Sequence, residues 1–204
     1  MSSETDVINR GLRSIGATRI TSRTDGSNSA NVADDIYDEV RDELLRCHPW
    51  NFATKRTQLS QSATDPEFEF DYAYPLPSDW IMTISVHNND AGHGTVLYRE
   101  EFVGSQKVIV ASSDQLYLRY VYRVTDANQM SADFRTALSY AIAQALAIPL
   151  ASSNTLEGTM AKRARSALLR AQSRDALGGY PELRPRGSWA SSRGGRKKDD
   201  FLSD

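Results

Sequence analysis

Residues 31–50 read NVADDIYDEVRDELLRCHPW, and this stretch decides the fold because apolar and acidic side chains recur in it at helical spacing. The apolar side chains stand four positions apart, at Val32, Ile36, Val40 and Leu44. The opposite face is acidic, with Asp34, Asp35, Asp38, Glu39, Asp42 and Glu43. Because Pro49 cannot continue a helix, the pattern predicts one amphipathic helix from about Asn28 to Cys47.

Three further segments have apolar residues at helical spacing, and they predict helices over about 3–16, 132–150 and 155–177. From Ala137 onward the second of these is apolar almost all round, which predicts the central and most buried helix. The last carries alanines on one face, which suit close approach to another helix. It is also basic, with Lys162, Arg163, Arg165, Arg170 and Arg174.

The middle of the chain, residues 51–125, has the two-residue period of β-strands instead. The clearest strands are EFEFDYAY and LYLRYVYRV, and the candidates in chain order are 53–59, 67–74, 80–87, 95–99, 107–111 and 116–124. We predict a separate sheet in which the acidic side of 67–71 lies near the basic side of 117–123. In that pairing Phe68 and Phe70 share a buried face with Tyr120 and Tyr122.

The predicted fold class is therefore α+β, an antiparallel helical bundle with an inserted antiparallel β-sheet and an extended C-terminal tail. The bundle comprises residues 1–50 and 126–177, the β insertion comprises 51–125, and the tail comprises 178–204. The tail is rich in glycine, proline and serine and has no periodicity, which is typical of a tail and not of a domain.

Composition excludes several classes of protein. Lys and Arg number 24 against 26 Asp and Glu, and this balance excludes a wholly basic nucleic-acid coat. The lone Cys47 excludes a disulfide framework within the chain and a thiolate zinc cage. No apolar run approaches the roughly 18 residues of a membrane span, and the polar N-terminus is unlike a signal peptide. We expect a cytosol-like compartment and no membrane partner.

Two groups of residues resemble chemical sites, and each has a simpler interpretation. His87, Asp90 and His93 have the spacing of metal ligands, but their turn-forming neighbours favour a solvated hairpin. Cys47 precedes His48, but helical neighbours point about 100° apart, so a packed cysteine is favoured over a nucleophile. Because no catalytic or phosphate-binding motif is present, we predict no enzymatic activity, no metal and no cofactor.

The charged helix faces suggest contacts between molecules. The acids of 34–43 are explained by a solvated face, by a basic partner such as the last helix of a neighbouring copy, or by the wall of a channel. The residues considered for contacts between subunits are Asp35, Asp38, Asp42, Arg163, Arg170 and Arg174.

The tail combines basic and aromatic side chains. Such a segment is typical of a docking peptide, of plain disorder or of single-strand nucleic-acid binding, and the aromatic anchors favour docking. The docking candidates are Tyr180, Arg184, Arg186, Trp189, Arg193 and Phe201.

Three stretches resemble a known family. INRGLRSIGATRITS at 8–22 and the segment 33–59 are similar to the opening of the head-to-tail adaptors of short-tailed bacteriophages, also called tail tubular protein A. The matching features are Ile15-Gly16, the 24–27 loop and the Trp50-Asn51-Phe52 exit of the long helix. A later match lies in 123–150, at Asp126, Met130, Phe134 and Ala137.

The resemblance implies antiparallel helices with a β insertion and a dodecameric ring between the portal protein and the tail nozzle protein. It also implies a lumen through which genomic DNA passes, a place in the virion tail after assembly in the host cytoplasm, and no catalysis. The tail residues would then dock on the portal. The alternative is a nucleic-acid-binding protein that uses the basic last helix and the Arg/Trp tail.

Overall fold

The computed structural model describes residues 3–92, 94 and 96–178 and has mixed α+β structure. Four α-helices are present in this part of the chain: α1 Glu4–Ser14, α2 Asn28–Arg46, α3 Ala132–Ala151 and α4 Asn154–Leu177. Between α2 and α3 lie β1 Thr54–Leu59, β2 Tyr72–Pro75, β3 Trp80–His87, β4 Tyr98–Val103, β5 Gln106–Ala111 and β6 Leu116–Tyr122. The strands form two small antiparallel sheets, β1-β6-β3 and β2-β5-β4.

The four helices begin and end within two residues of the predicted limits, so the helix predictions are confirmed. All four helices begin with the same type of N-terminal cap. Each helix follows a serine whose hydroxyl oxygen accepts a hydrogen bond from the backbone N–H three residues on. These capping residues are Ser3, Ser27, Ser131 and Ser153.

Helix α3 is the central element, because α1, α2 and α4 all pack against it. Phe134, Leu138, Ile142 and Leu146 of α3 are fully buried, as its apolar sequence predicts. Among the described helices only α3 is long and apolar enough to cross a membrane by composition. Because α3 lies among three other helices, its apolar composition is that of a buried core helix.

Helices α1 and α3 approach so closely that Gly11 has no room for a side chain. A Cβ added there would lie 2.9 Å from the backbone oxygen of Ser139 and 3.3 Å from the backbone nitrogen of Ala143. Because both neighbours are backbone atoms of a central helix, they cannot rotate away. Gly158 of α4 is a matched helical glycine with nothing within 4 Å of the same added atom.

We therefore expect Gly11→Ala and Gly158→Ala to change stability in opposite directions. Alanine gains about 1 kcal/mol of helix propensity at each position, and at Gly158 nothing opposes that gain. At Gly11 overpacking costs about 1–3 kcal/mol, so the free energy of unfolding should fall. Urea unfolding gives the free energy of unfolding of each variant. Because both variants share the gain in helix propensity, the difference between them is the cost of overpacking at Gly11. Equal gains in both variants would contradict the close helix contact.

The two sheets pack as layers on the helices. Ile81 and Val121 of the first sheet face the helical core, whereas Leu118 on the other face meets Tyr74 and Ile109 of the second sheet. The outer face of the second sheet is covered by the segment that precedes β2, through Phe70 and a hydrogen bond from Ser62 N to Ala73 O of 2.7 Å. The order of layers is therefore helices, first sheet, second sheet, covering segment.

The predicted pairing of 67–71 with 117–123 is wrong. Only Tyr72–Pro75 of the predicted strand 67–74 is a strand, and it pairs with β5 in the second sheet, whereas 117–122 belongs to the first. Glu69 has a φ of +73°, which ends the alternation, and its carboxylate pairs with Arg99 at 3.2 Å. Phe68 is 79% exposed, and Phe70 packs on the outer face of the second sheet, away from Tyr120.

The other strand predictions differ in detail. Strands 53–59, 80–87, 107–111 and 116–124 are confirmed within about two residues, but the one predicted at 95–99 lies at Tyr98–Val103. The single predicted sheet is two sheets, because β2, β4 and β5 pair only with one another.

Asp79, at the turn before β3, joins the strands of the first sheet. Its carboxylate accepts hydrogen bonds from Lys55 Nζ at 2.6 Å and from the Tyr120 hydroxyl at 3.0 Å. Burial alone would raise the pKa of Asp79, but these two hydrogen bonds outweigh burial and lower it. Burial, and then the Asp79 carboxylate, raise the pKa of Tyr120 to about 12.

We expect Asp79→Asn to lower the free energy of unfolding by roughly 1 kcal/mol at pH 7, because the amide keeps the shape and loses the charge. The folded-state pKa of Asp79 lies below the ordinary 3.8. The charge therefore stabilises the fold fully above the unfolded pKa, and this contribution disappears as pH falls through the folded pKa. Urea unfolding at pH 7 and near pH 3 should show the gap between the two proteins closing in acid. A gap independent of pH would contradict this prediction.

Candidate interaction surfaces

The acidic face of α2 is divided between acids that pair within the chain and acids that point to solvent. Three acids pair with arginines: Asp34 with Arg23 at 2.6 Å, Asp38 with Arg41 at 2.7 Å, and Asp42 with Arg123 at 2.7 Å. Asp35, Glu39 and Glu43 are exposed and make no ion pair with any residue in the described part of the chain. The helix therefore keeps a narrower acidic surface than its sequence predicts.

Arg23, in the loop between α1 and α2, organises the paired side of this face. It bonds Glu4 of α1 at 2.8 Å and Asp34 of α2, and its guanidinium lies 4.7 Å from the centre of the Tyr37 ring. Burial would lower the pKa of Arg23, but hydrogen bonds to the carboxylates outweigh burial and raise it. Burial also raises the pKa of Tyr37. These groups hold α1 and α2 together, so they are structural.

The basic surface lies on α4, which shares a groove with α2. Arg163 and Arg170 are exposed and make no ion pair within the described residues, whereas Arg174 pairs with Asp133 of α3 at 2.6 Å. Of the six residues considered for contacts between subunits, Asp35, Arg163 and Arg170 are therefore available to a partner. Asp38, Asp42 and Arg174 are already engaged within the chain.

A groove of about 300 Å³ lies between α2 and α4, with α3 as its floor. The floor is made of small residues, Ala137, Ala141 and Ala145 of α3, and Ala161 and Ala164 lie on the α4 side. Apolar walls are supplied by Val40, Leu44 and Leu168. The rim is charged and asymmetric, because Glu43 stands on the α2 side and Arg165 on the α4 side. Sequence periodicity did not reveal this groove, since it depends on how the three helices are arranged.

An acidic segment with exposed apolar side chains lies at the opposite end of the molecule. Residues 65–71 carry Asp65, Glu67, Glu69 and Asp71 around Phe68. Leu97 is 81% exposed and lines the same cavity as Glu69, so it lies near this segment. The sequence prediction placed Phe68 in the core, and the structure places it in solvent.

His87, the first residue of the possible metal site, has partners for both ring nitrogens within the protein. His87 Nε2 lies 3.0 Å from the Ser85 hydroxyl and Nδ1 lies 3.2 Å from the Gly94 carbonyl oxygen, so both ring nitrogens have protein partners. His93 lies outside the described residues. Among those that the structure describes, no three His, Cys, Asp or Glu side chains are grouped as metal ligands would be.

Cys47 is exposed and not packed as predicted, and Cys47 and His48 have separate partners. The Cys47 thiol donates to the Glu43 carbonyl at 3.3 Å, and His48 Nε2 lies 3.2 Å from an Asp175 carboxylate oxygen of α4. Burial, and then the charge of Glu43, raise the pKa of Cys47, which disfavours the thiolate. The pair therefore lacks the geometry of an activated nucleophile.

The docking candidates of the tail, from Tyr180 to Phe201, lie outside the described residues. The described residues therefore form four candidate surfaces. They are the acidic side of α2, the basic side of α4, the groove between them and the acidic segment 65–71. No protein-family model matches the chain, and no curated protein matches it either.

Proposed function

We propose that this chain is a structural virion protein, a head-to-tail adaptor that forms a ring between the portal and the tail nozzle and extends the DNA channel. The observation that supports the proposal most directly is the opposite charge of two helices of the helical layer. Asp35, Glu39 and Glu43 are exposed on α2, and Arg163 and Arg170 are exposed on α4. Identical copies placed side by side in one direction would bring opposite charges together at each contact.

The same proposal includes the finer architecture. In it, residues 1–50 and 126–177 form an antiparallel bundle, and 51–125 is a β unit inserted between α2 and α3. The packing of α1, α2 and α4 on α3 supports this description, as does the position of all six strands between Arg46 and Ala132. The adjacent layers would allow the helices and the sheets to face different neighbours in a ring.

The function proposed is mechanical. The ring, dodecameric by the family resemblance, docks on the portal through the tail residues 178–204 and presents a surface to the nozzle protein. Genomic DNA passes through the lumen, and an acidic wall repels its phosphates so that the DNA slides. Assembly takes place in the host cytoplasm, and the finished ring lies in the virion tail. This activity uses no catalytic group, metal or cofactor.

The test is to mix the purified chain with the portal of the phage that encodes it and to image the mixture by electron microscopy. We expect a ring of density added to the portal. The double variant Arg163→Glu/Arg170→Glu should weaken this ring, and Lys162→Gln should serve as a milder charge control. A portal that stays bare at high concentrations of the chain would exclude the adaptor function.

The same sample decides the alternative, a nucleic-acid-binding protein. The exposed cations Lys162, Arg163, Arg165 and Arg170 on one helix are the observation that favours it. A nucleic-acid binder would shift duplex mobility, and the affinity would fall steeply with added salt. Such a shift together with a bare portal would favour the alternative.

A further inference from the structure

Phe68 is the unusual residue of the β region, because a large aromatic side chain is 79% exposed in the middle of an acidic segment. Two carboxylates flank it directly, those of Glu67 and Glu69. The backbone is held on the C-terminal side of Phe68, because Phe70 N donates to Phe68 O at 3.0 Å and Glu69 pairs with Arg99. The segment therefore presents Phe68 to solvent in a defined conformation.

The groove between α2 and α4 is the matching feature in the helical layer. Its alanine floor and its walls of Val40, Leu44 and Leu168 offer about 300 Å³ of apolar space. An aromatic side chain buries roughly 150–250 Å² when it enters such a site. The largely apolar lining of the groove thus suits one aromatic anchor.

A single chain cannot bring these two features together. The groove lies in the helical layer, whereas Phe68 lies on the covering segment, beyond both sheets. The segment that carries Phe68 can therefore reach a groove only when that groove belongs to a second copy of the chain.

We propose that the segment 65–71 of one copy docks in the groove of a second copy, with Phe68 on the alanine floor. Charge favours an acidic occupant on the α4 side and sets its direction. The acids beside Phe68 are attracted to Arg165 on the α4 wall and to the other exposed cations of α4, and they are repelled by Glu43 on the α2 wall. The segment therefore enters with its carboxylates towards α4.

This contact joins two different surfaces, so each copy that uses its groove still offers its own Phe68. Contacts of this kind close into a ring when the rotation between copies allows it and form filaments when it does not. The inference rests on the proposed ring and specifies the surfaces that join its subunits.

Disulfide trapping tests the contact in the full-length protein, because the native Cys47 lines the groove. Glu67→Cys places a second thiol beside Phe68 and leaves the anchor intact. Under mild oxidation we expect a ladder of disulfide-linked oligomers on a non-reducing gel. The ladder should disappear in Glu67→Cys/Cys47→Ser. Phe102→Cys, at another exposed position of the second sheet, should give no ladder.

Two variants, each of which lacks one of the two contacting surfaces, test the direction of the contact. Phe68→Ser removes the anchor, and Ala145→Trp fills the groove from an exposed position on its floor. Each variant alone should self-associate more weakly than the parent, with a Kd raised by roughly thirtyfold, as for a lost aromatic anchor. A mixture should form a one-to-one complex and nothing larger, measured by sedimentation velocity. Phe102→Ser is the matched control and should behave as the parent.

The outcomes separate this inference from the adaptor proposal. If Glu67→Cys gives no more cross-linking than Phe102→Cys, or if Phe68→Ser associates as the parent does, the docking contact is overturned. Portal rings formed by Phe68→Ser as readily as by the parent would overturn the contact and leave the adaptor function standing. A portal that stays bare with the parent protein would overturn the adaptor function. The presence or absence of the disulfide ladder would still test the contact between copies.

Discussion

Trp50→Ala should lower the free energy of unfolding by about 3–5 kcal/mol, the range for truncating a large aromatic side chain in a core. Trp50 is fully buried where the chain leaves α2 for the first strand. Its indole N–H donates to the Leu44 carbonyl at 3.0 Å. Its ring lies 5.0 Å from that of Phe134 in an edge-to-face arrangement. The substitution therefore removes packing between the end of α2 and the core of α3 together with one buried hydrogen bond.

Urea unfolding followed by far-UV circular dichroism measures this effect. Trp50→Phe keeps most of the ring volume and loses the N–H donor, so it should cost less than the alanine variant. Phe102→Ala, at a side chain that is 67% exposed, should change stability by no more than about 0.5 kcal/mol. A loss below about 1 kcal/mol for Trp50→Ala would show that this contact contributes little to the core.

The helices could be predicted because their signals are local. The four-residue spacing from Val32 to Leu44 lies within α2, and each capping serine directly precedes its helix, so no distant residue is needed to interpret them. The pairing of strands depends on distant parts of the chain. The alternation in 67–74 predicted one strand, but the left-handed backbone at Glu69 ends it, and the short β2 finds its partner in β5. Nothing near Phe68 in the sequence indicates that choice.

The candidate surfaces show the same difference between local features, which the sequence predicts, and long-range contacts, which it does not. Sequence spacing correctly placed acids on one side of α2, but it could not show which acids have partners. Asp42 is neutralised in part by Arg123, which lies 81 positions away along the chain, and Asp35 is left exposed. The groove over α3 exists only because α2 and α4 lie on either side of it, so no single helix pattern contains it.

Truncation after Leu177 should abolish or strongly weaken assembly on the portal and leave the melting temperature unchanged. The end of α4 is held by residues that the truncated chain keeps. Asp175 accepts a hydrogen bond from the backbone N–H of Asn51 at 3.1 Å and lies beside His48, and the Asn51 side chain donates to the Asp175 carbonyl at 2.6 Å. The removed segment, of which only Gly178 is among the described residues, carries aromatic and arginine side chains suited to pockets and carboxylates.

Ordering such a segment on the portal costs about 1–2 kcal/mol per residue, so a few anchors must supply most of the binding free energy. Trp189→Ala and Phe201→Ala should then weaken portal binding in the full-length chain, whereas Ser192→Ala should not. Repetition around a ring amplifies each loss, because the copies bind together. Binding of portal by the truncated and full-length chains is compared by co-sedimentation, with the melting temperature as the control for folding. Equal binding by the two chains would move the docking surface from the tail to the exposed charges of α2 and α4.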